Sequence, residues 1–315
     1  MSAKIVVAGS LNADLTIYAD RLPNPGETLH GNGFSVNPGG KSANQAVAAA
    51  RLGGQVTLLG AVGEDANGEM LLASAASSGV NTEHVRRVTE PTGVAVISVD
   101  AQGENTIIIS AGANATLLPT HMDPAVFAGA AVLCLCLEVA PETVLAAAQT
   151  GHDAGATVLL NLSPYAPIAE ELAQLVDVLL VNAHEASAFL DGFAMPVSGA
   201  PADAWHGAIA RFAARGLSKV LVTLGADGSV VLDSTNMAHP AVLIAPTKVH
   251  AVDTTGAGDA FTGAVAARLA AGDSLVDAAR QASVAAALAT TKRGTQAAYP
   301  LLEDVTALLS AAQSS

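Results

Sequence analysis

Residues 251–272, AVDTTGAGDAFTGAVAARLAAG, place one carboxylate at the start of an alanine-rich helical pattern. The first amides of a helix lack intrahelical partners and carry partial positive charge, so a phosphate can bind there. The GAG turn of Gly256, Ala257 and Gly258 would let that phosphate come close to the backbone. The pattern therefore predicts an anion hole at these three amides.

Asp259 follows this turn directly. A carboxylate in that position could accept the proton of a hydroxyl group that attacks a phosphoryl group. An ordinary helix cap is the alternative interpretation, because Asp is common at helix starts. A cap requires neither the GAG turn nor Asp253, Thr254 and Thr255 before it, so we favour a catalytic base.

A second segment, VNPGGKSANQAVAAARLGG at residues 36–54, combines paired glycines with ammonium and amide side chains. Its GKS tripeptide is half of the phosphate-binding loop G-x-x-x-x-G-K-[ST], but Ser35 stands where that loop has its first glycine. Gly40 would let the backbone approach a ligand, and Lys41 and Asn44 would supply hydrogen-bond donors and an acceptor. The segment predicts a pocket for a hydroxyl-rich ligand such as a sugar.

Three further polar residues follow apolar runs that resemble buried strands. Asn12 and Asp14 come shortly after IVVAG at residues 5–9, and Glu138 ends the run AVLCLCL at residues 131–137. A buried carboxylate needs a partner or a ligand, and open α/β sheets bind their ligands at the carboxyl ends of the strands. We therefore expect Asn12 and Asp14 to extend the sugar pocket and Glu138 to contact a partner or a ligand.

The elements that position these residues alternate along the chain. Strand-like runs recur at residues 5–9, 55–63, 131–137, 157–162, 176–182 and 219–225, and most are separated by helical patterns that end near glycines. This alternation predicts an α/β fold, a single three-layer α/β/α domain over residues 1–315 with a mainly parallel central sheet. Residues 12–37 and 92–110 resemble short antiparallel strands and predict a small β-sheet lid.

Composition limits the classes of partner. The 315 residues contain 14 Lys plus Arg and 28 Asp plus Glu, and the formal net charge of −14 argues against binding to nucleic acid or to an anionic membrane. No apolar run reaches the length of a membrane span and no signal-peptide pattern precedes the first strand, so we expect a cytoplasmic protein. Cys134 and Cys136 lie two apart on one predicted strand and are expected in the core, not in a disulfide.

NPGGKSANQAVAAARLGG and VDTTGAGDAFTGA together resemble the two signatures of the ribokinase family of carbohydrate kinases, also called the PfkB family. The resemblance extends over nearly the whole chain, through NAD, LPNPGETL, TGVA, AGAN, NAHE and TLGADG. It implies a ribokinase-like fold and transfer of the γ-phosphoryl group of ATP to O5 of D-ribose, which yields D-ribose 5-phosphate and ADP. It also implies Mg²⁺ on the phosphates, K⁺ as a monovalent activator and a homodimer formed through the lid.

The resemblance also implies a role for each matching position. Asp259 matches the catalytic base, and Gly256, Ala257 and Gly258 match the anion hole. Sugar-binding positions are matched by Asn12, Asp14, Gly40, Lys41, Asn44, Glu138 and Asp259. Nucleotide-binding positions are matched by Asn182, Thr223, Gly225, Gly228, Gly258 and Ser283. Indirect contact with Mg²⁺ is implied for Asn182 and Glu185, and a K⁺ site for Asp253, Thr255, Ala289, Lys292, Gly294 and Ala298.

Several positions depart from the family pattern or have a plainer interpretation. Ser42 stands where a third glycine is usual, which would narrow the pocket or add one hydrogen bond. Ala298 replaces a serine often found in the cation loop, and Ser283 replaces a histidine or asparagine that often lines the adenine pocket. Without the family, NAHEA is typical of a helix start, and Ala188 excludes an HExxH zinc site.

Other functions remain open at the level of sequence. A related kinase could act on deoxyribose, a ketohexose or a nucleoside. A non-catalytic sugar-binding protein could share the fold, although such a protein has no use for Asp259 as a base. A dinucleotide-dependent dehydrogenase is disfavoured, because GAGDAF has Phe261 where the fingerprint G-x-G-x-x-G has its third glycine.

Overall fold

The computed structural model of the protein describes residues 3–313, which form two separate β-sheets and the helices that cover them. The strands are β1 Lys4–Ala8, β2 Asn12–Tyr18, β3 Gly33–Gly39, β4 Gln55–Gly63, β5 Val85–Val88, β6 Gly93–Val99, β7 Asn105–Ser110, β8 Ala130–Leu135, β9 Thr157–Asn161, β10 Val178–Asn182, β11 Lys219–Thr223, β12 Ser229–Asp233 and β13 Ala241–Ile244. The helices are α1 Lys41–Arg51, α2 Ala66–Ser77, α3 Pro124–Phe127, α4 Pro141–Asp153, α5 Glu170–Leu175, α6 Ala183–Phe189, α7 His206–Ala213, α8 Ala257–Ala270, α9 Leu275–Ala289 and α10 Leu302–Gln313.

The central sheet contains nine strands in the order β13-β12-β11-β10-β9-β8-β1-β4-β5. The pairs from β11 through to β5 are parallel, and β12 and β13 add an antiparallel edge. The six strand-like runs of the sequence correspond to β1, β4, β8, β9, β10 and β11, so the predicted mainly parallel α/β fold is confirmed. The sequence pattern missed β5, β12 and β13, which are short strands at the two edges.

Helices pack on both faces of this sheet because successive side chains of each strand point in opposite directions. In β1, Ile5 and Val7 join the core beneath α1, α8 and α9, whereas Val6 joins the core beneath α4 and α7. Cys134 and Cys136 are fully buried and free, as predicted. The result is the three-layer arrangement expected from the sequence.

Helices α1 and α8 pack unusually close together, and this contact determines where the site lies. A Cβ atom added at Gly263 of α8 would lie 2.5 Å from the carbonyl oxygen of Gln45 in α1, so a side chain there would force the helices apart. Two buried alanines of α1, Ala48 and Ala49, also lie at this point. The close approach brings the first turns of the two helices together.

The second sheet, called here the lid sheet, contains β2, β3, β6 and β7 in the order β3-β2-β6-β7. The β2–β3 and β6–β7 pairs are antiparallel, as predicted, but the central β2–β6 pair is parallel. These two strands belong to separate chain segments, so no hairpin imposes an antiparallel direction. On the outer surface of the lid sheet Phe34 and Ile108 are 64% and 73% exposed.

Within residues 3–313 no helix has the length and apolar character that crossing a bilayer requires.

Candidate active site

The predicted site residues lie where parallel strands of the central sheet end. Ser10 follows β1, Glu138 follows β8, and Asn182 and Thr223 end β10 and β11. The first turns of α1 and α8 lie at the same edge, since the Lys41 amide of α1 donates to Glu138 and Asn44 of α1 donates to Asp259 of α8. Residues far apart in sequence are therefore gathered into one cleft.

A cluster of three carboxylates and one ammonium group occupies the lid side of this cleft. It contains Asp14, Lys41, Glu138 and Asp259. Glu138 accepts hydrogen bonds from the Ser10 hydroxyl at 2.6 Å and from the backbone amide of Lys41 at 3.0 Å. The predicted sugar residues of α1 and of the loop after β8 are thus in direct contact.

Burial and like charge change the titration of this cluster. Burial, together with repulsion from Glu138 and Asp259, raises the pKa of Asp14 from its usual 3.8 to about 7. Burial opposes the charge of Lys41, but attraction to Asp259 and Glu138 raises the pKa of its ammonium group. The positive charge of Lys41 therefore offsets part of the repulsion among the carboxylates.

Asp259 lies in the first turn of α8 and is only 6% exposed. Its two oxygens accept hydrogen bonds from different amides of α1, Asn44 Nδ2 at 3.1 Å and Gln45 Nε2 at 3.0 Å. Asn44 was predicted as a sugar-binding residue, whereas Gln45 was not singled out. Its position next to Asn44 in SANQA was the only signal in the sequence.

A second residue missed as a site residue is Asn114, in the AGAN segment. Its Nδ2 donates to Asn12 Oδ1 at 2.8 Å and to the Leu11 carbonyl at 3.1 Å, and its Oδ1 accepts from the Leu11 amide at 2.9 Å. Asn114 therefore fixes both the backbone after β1 and the side chain of Asn12. The resemblance of AGAN to the family pattern pointed to the segment but not to this contact.

The predicted anion hole forms the start of α8. Gly256 has a φ of 74°, a left-handed conformation that favours glycine, and it is the N-cap residue without any side-chain cap. The Ala257 amide donates to the Thr254 carbonyl at 3.2 Å. Of the three predicted amides, those of Gly256 and Gly258 have no hydrogen-bond partner within residues 3–313 and are therefore available to an anion.

A cavity of about 650 Å³ adjoins this turn on the side opposite the lid sheet. It is lined by five predicted nucleotide residues, namely Thr223, Gly225, Gly228, Gly258 and Ser283. The wall also contains Ala257 of the predicted anion hole and residues that the sequence did not indicate, including Val249 and Ala286. The Ser283 hydroxyl donates to the Ala245 carbonyl at 3.4 Å, so it is already engaged within the wall.

Asn182 and Glu185 form a capping box at the start of α6. The Asn182 side chain accepts from the Glu185 amide, and the Glu185 carboxylate accepts from the Asn182 amide, both at 2.8 Å. The plainer interpretation of NAHEA as a helix start is therefore correct. The other Glu185 oxygen accepts no hydrogen bond within residues 3–313, so this oxygen set fits indirect, water-mediated contact with Mg²⁺.

The predicted cation loop brings three of its residues together. Asp253 accepts hydrogen bonds from the amides of Thr255 and Gly294, each at 2.9 Å. Burial opposes ionisation, but these hydrogen bonds lower the pKa of Asp253. The carbonyl oxygens of Lys292 and Gly294 accept no hydrogen bond in the described part of the chain, which suits a hard monovalent cation. Ala289 and Ala298 flank Lys292 and Gly294 in the sequence, and both are buried.

Ser42 points away from the cleft. It is fully buried, and its hydroxyl lies 3.1 Å from the Cys136 sulfur. The expectation that Ser42 narrows the sugar pocket is therefore wrong, because the close α1–β8 contact turns its side chain into the core. The alternative of one added hydrogen bond holds, with Cys136 as the partner.

Comparison with known proteins identifies the family of this chain. The pfkB family of carbohydrate kinases matches residues 2–302. A ribokinase of Schizosaccharomyces pombe is 36% identical over 96% of this chain and 96% of its own, and a deoxyribokinase of Salmonella typhi is 34% identical over 97% and 98%. The Arabidopsis thaliana ribokinase structure with ribose and ATP is 32% identical, superposes with a TM-score of 0.89 and covers 98% of this chain and 99% of that one. The chain belongs to the pfkB family of carbohydrate kinases.

Proposed function

We propose that the protein is an ATP-dependent ribokinase that phosphorylates D-ribose at O5 and releases ADP. The observation that carries this proposal is the position of Asp259. Its buried carboxylate lies in the charged cluster of the sugar side, and the preceding residue, Gly258, lines the large cavity. An acceptor hydroxyl on one side and a phosphate on the other would thus meet at the start of α8.

Asp259 would act as the general base. It would accept the proton of the sugar hydroxyl as that oxygen attacks the γ-phosphorus, while the bond to the ADP oxygen breaks. Asn44 and Gln45 hold the carboxylate in place by donating to its two oxygens. The proton passes to the Asp259 carboxylate, ADP is the leaving group, and no covalent enzyme intermediate is required.

The amides of Gly256 and Gly258 would receive the transferring phosphoryl group. The start of α8 adds the partial positive charge of the helix, and Lys41 adds a full charge from the sugar side. When bound, Mg²⁺ neutralises charge on the nucleotide phosphates, and Asn182 and Glu185 would hold it indirectly. Asp253 and Thr255, with the backbone of Ala289, Lys292, Gly294 and Ala298, would hold K⁺ beside the anion hole.

The sugar would be bound by Asn12, Asp14, Gly40, Lys41, Asn44 and Glu138. These groups are a mixture of acceptors and donors, as vicinal hydroxyls require. The position of Asp14 favours a fully hydroxylated sugar, because a missing hydroxyl would leave this half-buried carboxylate without a hydrogen-bond partner. The nucleotide would occupy the cavity lined by Thr223, Gly225, Gly228 and Ser283.

A coupled assay of ADP release over a panel of sugars and nucleosides, with and without Mg²⁺ and K⁺, tests this proposal. We expect the highest kcat/KM for D-ribose and a strict requirement for a divalent cation. A higher kcat/KM for 2-deoxyribose would favour the activity named for the Salmonella relative. Ribose binding by calorimetry without any ADP release would contradict a kinase. The lid-sheet homodimer and the cytoplasmic location stay predictions of the sequence.

A further inference from the structure

The buried side chain of Gln45 is not exposed to a ligand in the cleft, yet it contacts Asp259, the proposed base. Its side chain is fully buried, and its Nε2 donates to Asp259 Oδ1 at 3.0 Å. Asn44, its neighbour in α1, approaches the other carboxylate oxygen from the cleft side and is itself assigned to sugar binding. Any influence of Gln45 on the reaction must therefore pass through Asp259.

The direction of the Gln45 amide is determined by a third residue. The thiol of Cys134, in β8, donates to Gln45 Oε1 at 3.3 Å. An ionised carboxylate can only accept, so the NH₂ group of Gln45 must face Asp259 and its carbonyl must face the thiol. Burial raises the pKa of the Cys134 thiol far above its ordinary value, so the sulfur keeps the hydrogen that it donates.

A parallel chain of contacts orients the other amide. Gln296 Nε2 donates to Asn44 Oδ1 at 3.0 Å, and the Ser74 hydroxyl donates to Gln296 Oε1 at 2.8 Å. In both chains every hydrogen bond is directed towards Asp259. Buried networks in which each donor and acceptor is satisfied hold their members in one geometry.

We propose that Gln45 is a positioning residue that fixes the orientation of the Asp259 carboxylate, and that the Cys134 thiol fixes the orientation of Gln45. This inference rests on the proposed function, in which Asp259 is the base. A base must face the acceptor hydroxyl closely, and a small rotation of the carboxylate would misalign the proton transfer. The loss of Gln45 should therefore affect turnover more than sugar affinity.

The first test replaces Gln45 with methionine, which is similar in length but has no amide. For Gln45→Met we expect kcat to fall about ten- to hundredfold, the effect of losing a hydrogen bond to a charged group, with the ribose Kd within about threefold of wild type. A kcat within about twofold of wild type in a variant with an unchanged Tm would overturn the proposal. A merely structural role would lower Tm and leave kcat per folded molecule unchanged.

Variants of Cys134, in β8, and Cys136, just after it, provide a second test that does not depend on the folding of Gln45→Met. Both are fully buried, but the Cys136 sulfur contacts Ser42 instead of Gln45. We expect Cys134→Ala to lower kcat about three- to tenfold, Cys134→Ser to restore it and Cys136→Ala to keep it within about twofold. Equal kcat values for Cys134→Ala and Cys136→Ala would overturn the role of the thiol.

A crystal structure of Gln45→Met provides a readout without turnover. We expect the Asp259 carboxylate to rotate away from its wild-type orientation while α1 and α8 keep their positions. An unchanged carboxylate would overturn the inference even if ribose proved not to be the substrate. Conversely, an active wild type with a normal Gln45→Met variant would overturn this inference alone and leave the proposed function intact.

Discussion

The two sides of the cleft are built in different ways. On the lid side, the charged groups Asp14, Lys41, Glu138 and Asp259 are gathered in a small space, and buried hydroxyl and amide groups hold two of the carboxylates in place. On the other side, the cavity of about 650 Å³ is lined mostly by backbone, small residues and apolar residues. The lid side would recognise its ligand by directed hydrogen bonds, whereas the cavity would recognise its ligand by shape.

This difference predicts how each side responds to substitution. Removing one group from a buried network leaves its partners unsatisfied, which costs more than the bond itself contributes. In a wide cavity, many residues contact the ligand together. Changing one small residue of the wall therefore alters only part of the contact with the ligand. We therefore expect large effects of single substitutions on the sugar side and smaller effects on the nucleotide side.

The largest effect should come from Asp259→Asn. An amide cannot accept the hydroxyl proton, so we expect kcat to fall about 10²- to 10⁴-fold, while the ribose Kd changes by less than about tenfold. Steady-state assays and titration calorimetry separate the two quantities. A near-normal kcat in this variant would show that another group is the base.

A large effect with a distinct pH signature is expected for Asp14→Asn. Because its carboxyl pKa is raised to about 7, wild-type Asp14 becomes ionised only as the pH rises through that value. We expect the wild-type kcat/KM for ribose to rise through the same pH range. In Asp14→Asn we expect kcat/KM to be about ten- to hundredfold lower and to depend less on pH. An identical pH profile in the variant would exclude Asp14 as the titrating group.

The same substitution should increase stability at high pH. A raised pKa means that the folded state binds more protons than the unfolded state between pH 3.8 and about 7, so the free energy of unfolding falls as the pH rises across this window. Asp14→Asn removes this loss, and we expect it to be more stable than wild type at pH 8 by up to about 4 kcal/mol. The gain should be small at pH 4, close to the unfolded-state pKa of 3.8. Urea unfolding at both pH values measures it.

On the nucleotide side, Ala286→Leu should have a moderate effect. The added side chain would occupy part of the cavity wall on α9, so we expect the KM for ATP to rise about tenfold. The KM for ribose serves as the internal control and should stay within about twofold, because α9 does not border the charged cluster. Equal increases in both constants would contradict the separation of the two sides.

The smallest effect is expected for Ser283→Ala. Its hydroxyl already donates to the Ala245 carbonyl at 3.4 Å and is not free for the nucleotide. We expect kcat and the KM for ATP to stay within about twofold of wild type. A tenfold rise in the KM for ATP would mean that this hydroxyl turns to the base when the nucleotide binds.

Much of the fold followed from the order of residues along the chain. Parallel strands buried on both faces, such as β8 and β10, are continuous apolar runs and are recognisable without the structure. The strands β5, β12 and β13 were missed because their apolar runs are at most four residues long, and in β5 the exposed Arg86 and Arg87 interrupt the run. The sequence assigned residues 12–37 and 92–110 to one lid sheet but did not show that β2 and β6 pair in parallel, since nothing local specifies the direction in which separate segments pair.

The sequence by itself determined the local chemistry of the site. The GAG turn before Asp259, the paired glycines before Lys41 and the capping pattern of Asn182 and Glu185 depend on neighbours within a few positions. Such short-range signals survive without any knowledge of the fold, because helix starts and turns are formed by adjacent residues.

Only the tertiary structure decided which groups hold the base. Gln45 and Asp259 are 214 positions apart, and Gln45 and Cys134 are 89 apart. Their contacts exist because Gly263 lets α8 approach α1 and because β8 lies beneath both helices. Hydrogen bonds of about 3 Å need their partners placed to within a fraction of that distance, and packing of whole elements, not local sequence, provides this precision.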